Sequence, residues 1–468
     1  MKAVLARAAW ALVVAGVGVA LAATLGFVVA TLFVRVPYWG EAEVLFEASR
    51  LRQHLPLWGD PLVGATEYGE PPSRFYVTYP PLWTWVVSLA PADVARTFAR
   101  LASTLAWLGT LAGIAWSAKR EVRREAALAA AFVGGIWVLA NFATVARPDA
   151  IACAIAAIAL TRATRRGKVD LACVALFVLA PWVKPTVIGL PAGALLGACL
   201  ADRGRGARAI GSALALALGA AVLAHVWSGG ALFEHVVRSN AQRLSLAVWL
   251  EQVPPRLPFF APLFAWAAWL GWRDRASASA RIGLAALGGA LVWTLFALAK
   301  TGSASNYWME PAIAAVSLIA RSPAGPIRVG GAKLGHALAA LACVAWTDVA
   351  SVRGALEHAR SYRDDAAFVG SVRARLGAAP RDVVAADEAG IELELNGRIL
   401  TPTYQMAHLV RRGAYPAAPW IADLESPRTR AFVEHSRQLE LVPDILRALE
   451  AGYVVAFEER GFRVWTRR

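Results

Sequence analysis

The chain has 468 residues, of which 57% are hydrophobic and only 17% charged, with 19 tryptophans and a formal net charge of +15. A soluble globule carries about 25% charged residues and a disordered chain lacks this apolar content, so both classes are excluded. The basic excess falls in short loops between apolar runs, which marks membrane orientation rather than a nucleic-acid-binding stripe.

Lys2 and Arg7 precede an uncharged run over 10–34, too long for a signal-peptide core and long enough to remain as a membrane anchor. Placing these cations in the cytoplasm puts the loop 35–78, rich in Pro, Trp and Tyr, outside. Within that loop, 43–55 has Leu45, Ala48, Leu51 and Leu55 at helical spacing, with Glu47 and Arg50 turned away from them. That is the pattern of a helix lying on the membrane surface. The stretch 79–90 reads as a second, short aromatic helix begun by Pro80 and Pro81.

Ten more spans follow, over 95–118, 126–145, 150–164, 171–182, 186–200, 210–227, 259–272, 282–299, 306–320 and 334–349. With eleven spans in all, each cytoplasmic loop receives a basic group: Arg120 and Arg123, Arg165 and Arg166, Arg203 and Arg205, Arg273 and Arg275, then Arg321 and Arg328. The pair 171–182 and 186–200 is short, as tilted or partly re-entrant segments are. Cys153, Cys173, Cys199 and Cys343 all lie in apolar runs, without metal-site spacing or a disulfide framework.

The composition changes near residue 350. The last 118 residues hold 17 basic and 16 acidic side chains, so the positive excess belongs to the apolar part. Two domains are therefore expected: a transmembrane domain over 1–350 and a small α/β domain over 351–468, which an odd number of spans leaves outside the cytoplasm. In the latter, 362–376, 404–412 and 439–451 have helical patterning, 383–386 reads as a buried strand, and 453–457 with 462–465 as a closing hairpin. No nucleophile and base are spaced there for catalysis.

The chemistry-bearing residues fall at the outer boundary. Arg147, Lys184 and Lys300 are cations on the side that topology depletes of them, and an anionic lipid phosphate at headgroup depth gives them a partner. Glu41 and Glu43, directly after the first span, are acids beside apolar surface, suited to take a proton from an acceptor. Tyr79, Asp149, Asn306 and Glu310 join them as sugar or acceptor contacts. Each has a plainer structural reading: Asp149 as an acid at a helix N-terminus paired with Arg147, Asn306 and Glu310 as an interhelical pair, the lysines as snorkelling side chains.

Together these residues resemble the GT-C-type, polyprenyl-phosphate-dependent glycosyltransferases, the group of the protein O-mannosyltransferases and lipid A aminoarabinose transferases. Gly40-Glu41 stands where many members have Asp-Glu, Tyr79-Pro80-Pro81-Leu82-Trp83 looks like their Pro-Pro-Leu-Tyr segment, and Arg147-Pro148-Asp149 resembles their Arg-x-Asp turn. Asn306-Tyr307-x-x-Glu310 is similar to a motif of uncharacterised bacterial members. With Gly40 at the usual Asp position, the base role passes to Glu41, with Glu43 second.

The resemblance implies an α-helical polytopic membrane protein of about eleven transmembrane helices in a GT-C-like arrangement, with its active site outside the cytoplasm. It implies transfer of a hexosyl or pentosyl group from a polyprenyl-phosphate donor to a glycan, lipid or protein acceptor. Arg147, Lys184 and Lys300 would hold the donor phosphate. The expected setting is the cell inner membrane, with the N-terminus cytoplasmic and the C-terminal domain outside; the partners are the lipid donor and the bilayer, without nucleic acid. No cofactor is implied, although the family leaves room for a divalent metal. Two other classes compete: a multi-pass transporter, which predicts ionisable groups buried within spans and repeated halves, and a non-catalytic scaffold displaying its C-terminal domain.

Overall fold

A computed structural model describes residues 2–36, 40–58, 77–322, 333–376, 383–401 and 403–468, with the side chains of 333–343 and a few near the N-terminus left out. About half of the loop expected over 35–78 (residues 37–39 and 59–76), the side chain of Cys343 and the cation Arg328 thus lie outside the described residues.

In chain order the helices are α1 (Lys2–Leu32), α2 (Glu41–Arg52), α3 (Leu82–Ser88), α4 (Ala95–Trp116), α5 (Arg123–Gly135), α6 (Trp137–Ala143) and α7 (Asp149–Arg166). Then come α8 (Leu171–Val183), α9 (Gly189–Ala201), α10 (Arg203–Ser228), α11 (Leu246–Gln252), α12 (Leu257–Arg273), α13 (Ala278–Ala297) and α14 (Met309–Arg321). The last are α15 (Lys333–Leu376), α16 (Ala389–Asn396), α17 (Thr403–Arg411), α18 (Ala418–Glu425) and α19 (Pro443–Gly452). Four strands, β1 (Val383–Ala386), β2 (Thr429–Glu434), β3 (Tyr453–Glu459) and β4 (Phe462–Arg467), complete the chain.

Every stretch expected to span coincides with a helix, but the lengths differ. Among the described residues four helices are long and apolar enough to cross a bilayer: residues 8–32 of α1, then α4, α10 and α13. A fifth crossing is available if α5 and α6, bent by 73° at Ile136, count as one. The helices α8 and α9 are apolar but only 13 residues each, the shortness that the sequence anticipated. These apolar helices make the chain an integral membrane protein.

Two compact units divide the chain: residues 1–30, 100–222 and 243–358 form one, and residues 31–99, 223–242 and 359–468 the other. In the first, α9 lies against α13. Gly189, Gly193 and Gly197 recur every fourth residue and so share one face of α9, where the absence of side chains lets the two backbones meet. A Cβ on Gly197 would lie 2.6 Å from Ile282 Cα, and one on Gly193 would fall on the Ala285 carbonyl oxygen. The helix α14 packs on α5, α7, α12 and α13, and all its residues but Arg321 are buried.

In the second unit the strands form one mixed sheet in the order β1-β2-β4-β3, parallel between β1 and β2 and antiparallel elsewhere. Alternation sends Val383, Ala385, Phe432 and Trp465 into one core with α17, α18 and α19, and Val384, Ala386, Val433 and Val464 into another with α15 and α16. The expected strand and hairpin are present. The hairpin turns on Arg460 and Gly461, both with positive φ, so its strands run two residues further than the sequence suggests.

The surface-helix reading of 43–55 is corrected. Within α2, Glu47 and Arg50 are buried, not turned to solvent, because α3 and α16 of the same unit cover the polar side of the helix. Thr84 on α3 donates to one oxygen of Glu47, and Arg50 donates through Nε and Nη2 to the Pro56 carbonyl in the chain after α2.

Candidate active site

Two groups of buried polar side chains carry the residues singled out in the sequence, one in each compact unit.

The first forms where helices break. Pro185 disfavours the helical conformation of the residue before it, so Lys184 is extended (φ −142°, ψ 107°) and α8 stops at Val183. Pro148 likewise precedes α7 and makes Asp149 its first residue, an acid at the positive end of the helix. The short 3₁₀ turn Ser305–Trp308 before α14 brings Asn306 to the same place. The Asp149 carboxylate then collects three partners: Arg147 Nε at 3.1 Å on Oδ2, Lys184 Nζ at 2.9 Å on Oδ1, and Asn306 Nδ2 at 2.6 Å on Oδ1. Arg147, Lys184 and Asp149 are each at most 5% exposed in their side chains. Arg147 also lies over the Phe142 ring, 5.3 Å from its centroid.

Lys300 lies beyond the end of α13 and is half-buried, close enough for its charge to repel that of Lys184. A two-stranded bridge to Leu244 fixes its backbone. Glu310, in the first turn of α14, is buried and accepts the Leu190 amide on Oε2 at 2.7 Å, so it caps the start of α9. Cys153, one turn into α7, lies within electrostatic reach of Asp149, Lys184 and Glu310. Asn306 and Glu310 share a segment without bonding to each other, and each reaches a different helix.

The second group is built on α2. Gly40, at φ 80°, turns the chain into the helix, a conformation that costs glycine little. Glu41, Glu43 and Glu47 are all buried, the first and last completely. Thr84 Oγ1 donates to Glu47 Oε2 at 2.8 Å. Gln405 of α17 points its amide to Glu43 Oε1 and to Thr78 Oγ1, each at 3.5 Å. The adjoining segment is held by the Val77 amide, which donates to His235 Nδ1 at 3.0 Å, and by Asn240, which donates to the Thr78 carbonyl at 3.3 Å. Tyr79 follows and is buried, and Pro81 caps α3 as its sequence suggests.

Sequence reasoning missed Glu47, Thr84 and Gln405. Glu47 had a signal, since it stands four residues after Glu43 and so shares its helical face. Gln405 had none, being 362 residues distant from the acid it reaches. Among the described residues no three His, Cys, Asp or Glu side chains are grouped to hold a metal ion.

No family model matches the chain, and no curated protein matches it in sequence. Solved structures do match. ArnT from Cupriavidus metallidurans bound to undecaprenyl phosphate aligns at a TM-score of 0.56 with 16% identity, covering 97% of each chain. The same protein in the apo state aligns at 0.55, again with 16% identity and 98% of each chain. From the first transmembrane helix to the closing hairpin, the chain has the fold of ArnT, as the resemblance to GT-C transferases implies.

Proposed function

We propose that this protein is a membrane glycosyltransferase that moves a hexosyl or pentosyl group from a polyprenyl-phosphate donor to an acceptor outside the cytoplasm. The observation that carries the reading is the alignment, over nearly the whole of both chains, with a protein crystallised with undecaprenyl phosphate. The buried cations agree with it. Among the described residues Arg147 and Lys184 direct two positive charges at the Asp149 carboxylate, and Lys300 lies close by, a group of cations suited to a phosphate.

In this reading Arg147, Lys184 and Lys300 hold the donor phosphate and stabilise the charge that builds on it as the sugar leaves. Asn306 and the two cations meet on the Asp149 carboxylate, and Asp149, Asn306, Glu310 and Tyr79 are assigned to contacts with sugar or acceptor. Glu41 and Glu43 are the candidate bases, one of which takes the acceptor's proton as the new bond to the anomeric carbon forms. The chain crosses the inner membrane eleven times, its shorter helices tilted, with the N-terminus cytoplasmic and the C-terminal domain outside.

The test is transfer by the purified protein from undecaprenyl-phosphate sugars, hexosyl and pentosyl in parallel, to extracts of envelope glycans and lipids. Glu41→Gln and Glu43→Gln keep shape and remove basicity, so the true base is the one whose replacement lowers turnover by about a hundredfold or more. No turnover of any lipid-linked sugar by the folded wild type, or normal turnover by both variants, refutes the assignment. A reporter fused after residue 355 should be active only outside the cytoplasm.

A further inference from the structure

The helix α2 carries an acid that the function just proposed leaves without a task. Glu47 is fully buried, as fully as Glu41, and is held by Thr84, itself 1% exposed. Its second oxygen, Oε1, has no hydrogen-bond partner among the described residues. It stands four residues after Glu43, so the two carboxyl groups rise from one helical face with Cβ atoms about 5 to 6 Å apart. Two buried carboxyls at that spacing do not both ionise near neutrality, because the second charge must be created beside the first with little water to screen it.

We propose that Glu47 holds a proton beside Glu43 and thereby keeps Glu43 as the ionised member of a carboxyl pair, which makes Glu47 a positioning residue for the base on α2. This rests on the proposed function with Glu43, of the two candidate bases on α2, as the one that acts.

The surroundings sort the two acids. Burial pushes Glu47 up to about 8, and the Glu43 charge adds to that, while hydrogen bonds from Thr84 and the Thr78 backbone only partly oppose it. Glu43 has the Gln405 amide directed at Oε1, a donor that favours its charged form. The groups facing Glu47 from other elements, Thr84 on α3 and Thr78, are neutral. Ala389 and Leu393 of α16, packed on α2, are apolar. Arg50, on α2 itself, is turned to the Pro56 carbonyl. Among the described residues Glu43 is therefore the charge that acts on Glu47.

In the transfer step the acceptor hydroxyl gives its proton to the Glu43 carboxylate as its oxygen bonds to the anomeric carbon. The bond from that carbon to the phosphate oxygen breaks, and its electron pair leaves with the polyprenyl phosphate. Glu47 keeps its own proton throughout. Its ionisation at higher pH would add a second buried negative charge beside Glu43, so that the acceptor's proton could go to either carboxylate instead of to Glu43 alone.

The experiment is infrared difference spectroscopy of the full chain in nanodiscs, following the carbonyl stretch of protonated carboxyl groups against pH, beside the pH dependence of sugar transfer. A component present at pH 7 and lost as pH passes about 8 should vanish in Glu47→Gln. Its midpoint should fall in Glu43→Gln, which removes the neighbouring charge, and rise in Thr84→Val, which removes a donor to the carboxylate. Glu47→Gln should also flatten the decline of transfer rate above that pH. A component unaffected by Glu47→Gln, or a midpoint unmoved by both other variants, overturns the pair. If the midpoints shift as described but Glu43→Gln transfers sugar at the wild-type rate, the assignment of Glu43 as base fails, and with it the part of Glu47 in catalysis.

Discussion

Lys184 Nζ stands 2.9 Å from Asp149 Oδ1, with both side chains 4% exposed, at a point where two helices are interrupted by prolines. Since Arg147 binds the other oxygen of the same carboxylate, two cations share one anion in a place with little water. Such a cluster depends on the one carboxylate that both cations share.

Asp149→Asn should therefore be among the most damaging substitutions in the chain, costing about 3 to 5 kcal/mol, because it leaves two buried cations without their anion. Lys184→Met should cost less, since Asp149 keeps Arg147 and Asn306. Unfolding of the two variants in detergent measures both. A milder loss for Asp149→Asn than for Lys184→Met would mean that water reaches the cluster.

Lys300 offers the cleanest test of the donor site, because it is half-buried and takes no part in the ion cluster around Asp149. Lys300→Ala should weaken binding of undecaprenyl phosphate by about ten- to a hundredfold, the loss of one charge-assisted contact of roughly 1.5 to 3 kcal/mol. Acceptor binding should stay the same. Equal lipid affinity for variant and wild type in nanodiscs would remove Lys300 from the site.

In the C-terminal domain His435 Nδ1 lies 2.7 Å from Glu388 Oε1, and that hydrogen bond, helped by the charges of Glu388, Asp365 and Asp387, raises the imidazole above its ordinary value. A raised histidine contributes stability that is complete below its unfolded pKa and is lost as pH rises through the folded one. Glu388→Gln should thus lower stability by about 0.5 kcal/mol near pH 6, a size set by the partial exposure of the pair, and by less near pH 9. Thermal unfolding at both pH values checks the sign; a penalty that grows with pH contradicts it.

How much of this was readable beforehand divides along physical lines. The helices were legible because apolar length and loop charge are local quantities: α4 and α13 fall within four residues of their expected bounds, while α10 begins seven residues before its expected start. Arg147, Asp149, Lys184 and Asn306 could be singled out from proline breaks and misplaced charge, but their meeting at one carboxylate could not, since Asn306 lies 157 residues from Asp149. The pattern in α2 misled for a related reason. Periodicity reports that one face of a helix is apolar, and says nothing about a partner such as Thr84 covering the other. The strand β2 was missed because it lies inside the domain and pairs with segments distant in the chain.

Gly193→Ala should separate α9 from α13, because the added methyl meets the Ala285 carbonyl oxygen, which belongs to the backbone and cannot rotate away. A cost of about 1 to 3 kcal/mol is expected, as for other overpacked contacts. Gly288→Ala on α13, where a Cβ meets nothing within 4 Å, is the matched control. Equal melting temperatures for the two variants would show that α9 can shift without penalty.

The same seam bears on how the protein is made. A helix of 13 residues such as α9 rises about 20 Å, short of a hydrocarbon core of roughly 30 Å, and its glycine face offers lipid little to pack against. Its neighbour α13 begins at Ala278, so it leaves the ribosome roughly 80 residues later, a delay of about 4 to 16 seconds at usual rates of synthesis. During that interval α9 must be retained by the insertion machinery or by α7, the earlier helix it packs on, and it reaches α13 only after the intervening helices have been made. The order of translation thus makes this helix the natural point at which assembly in the membrane would stall, and a ribosome arrested just before Ala278 should hold α9 accessible to aqueous thiol reagents through Cys199.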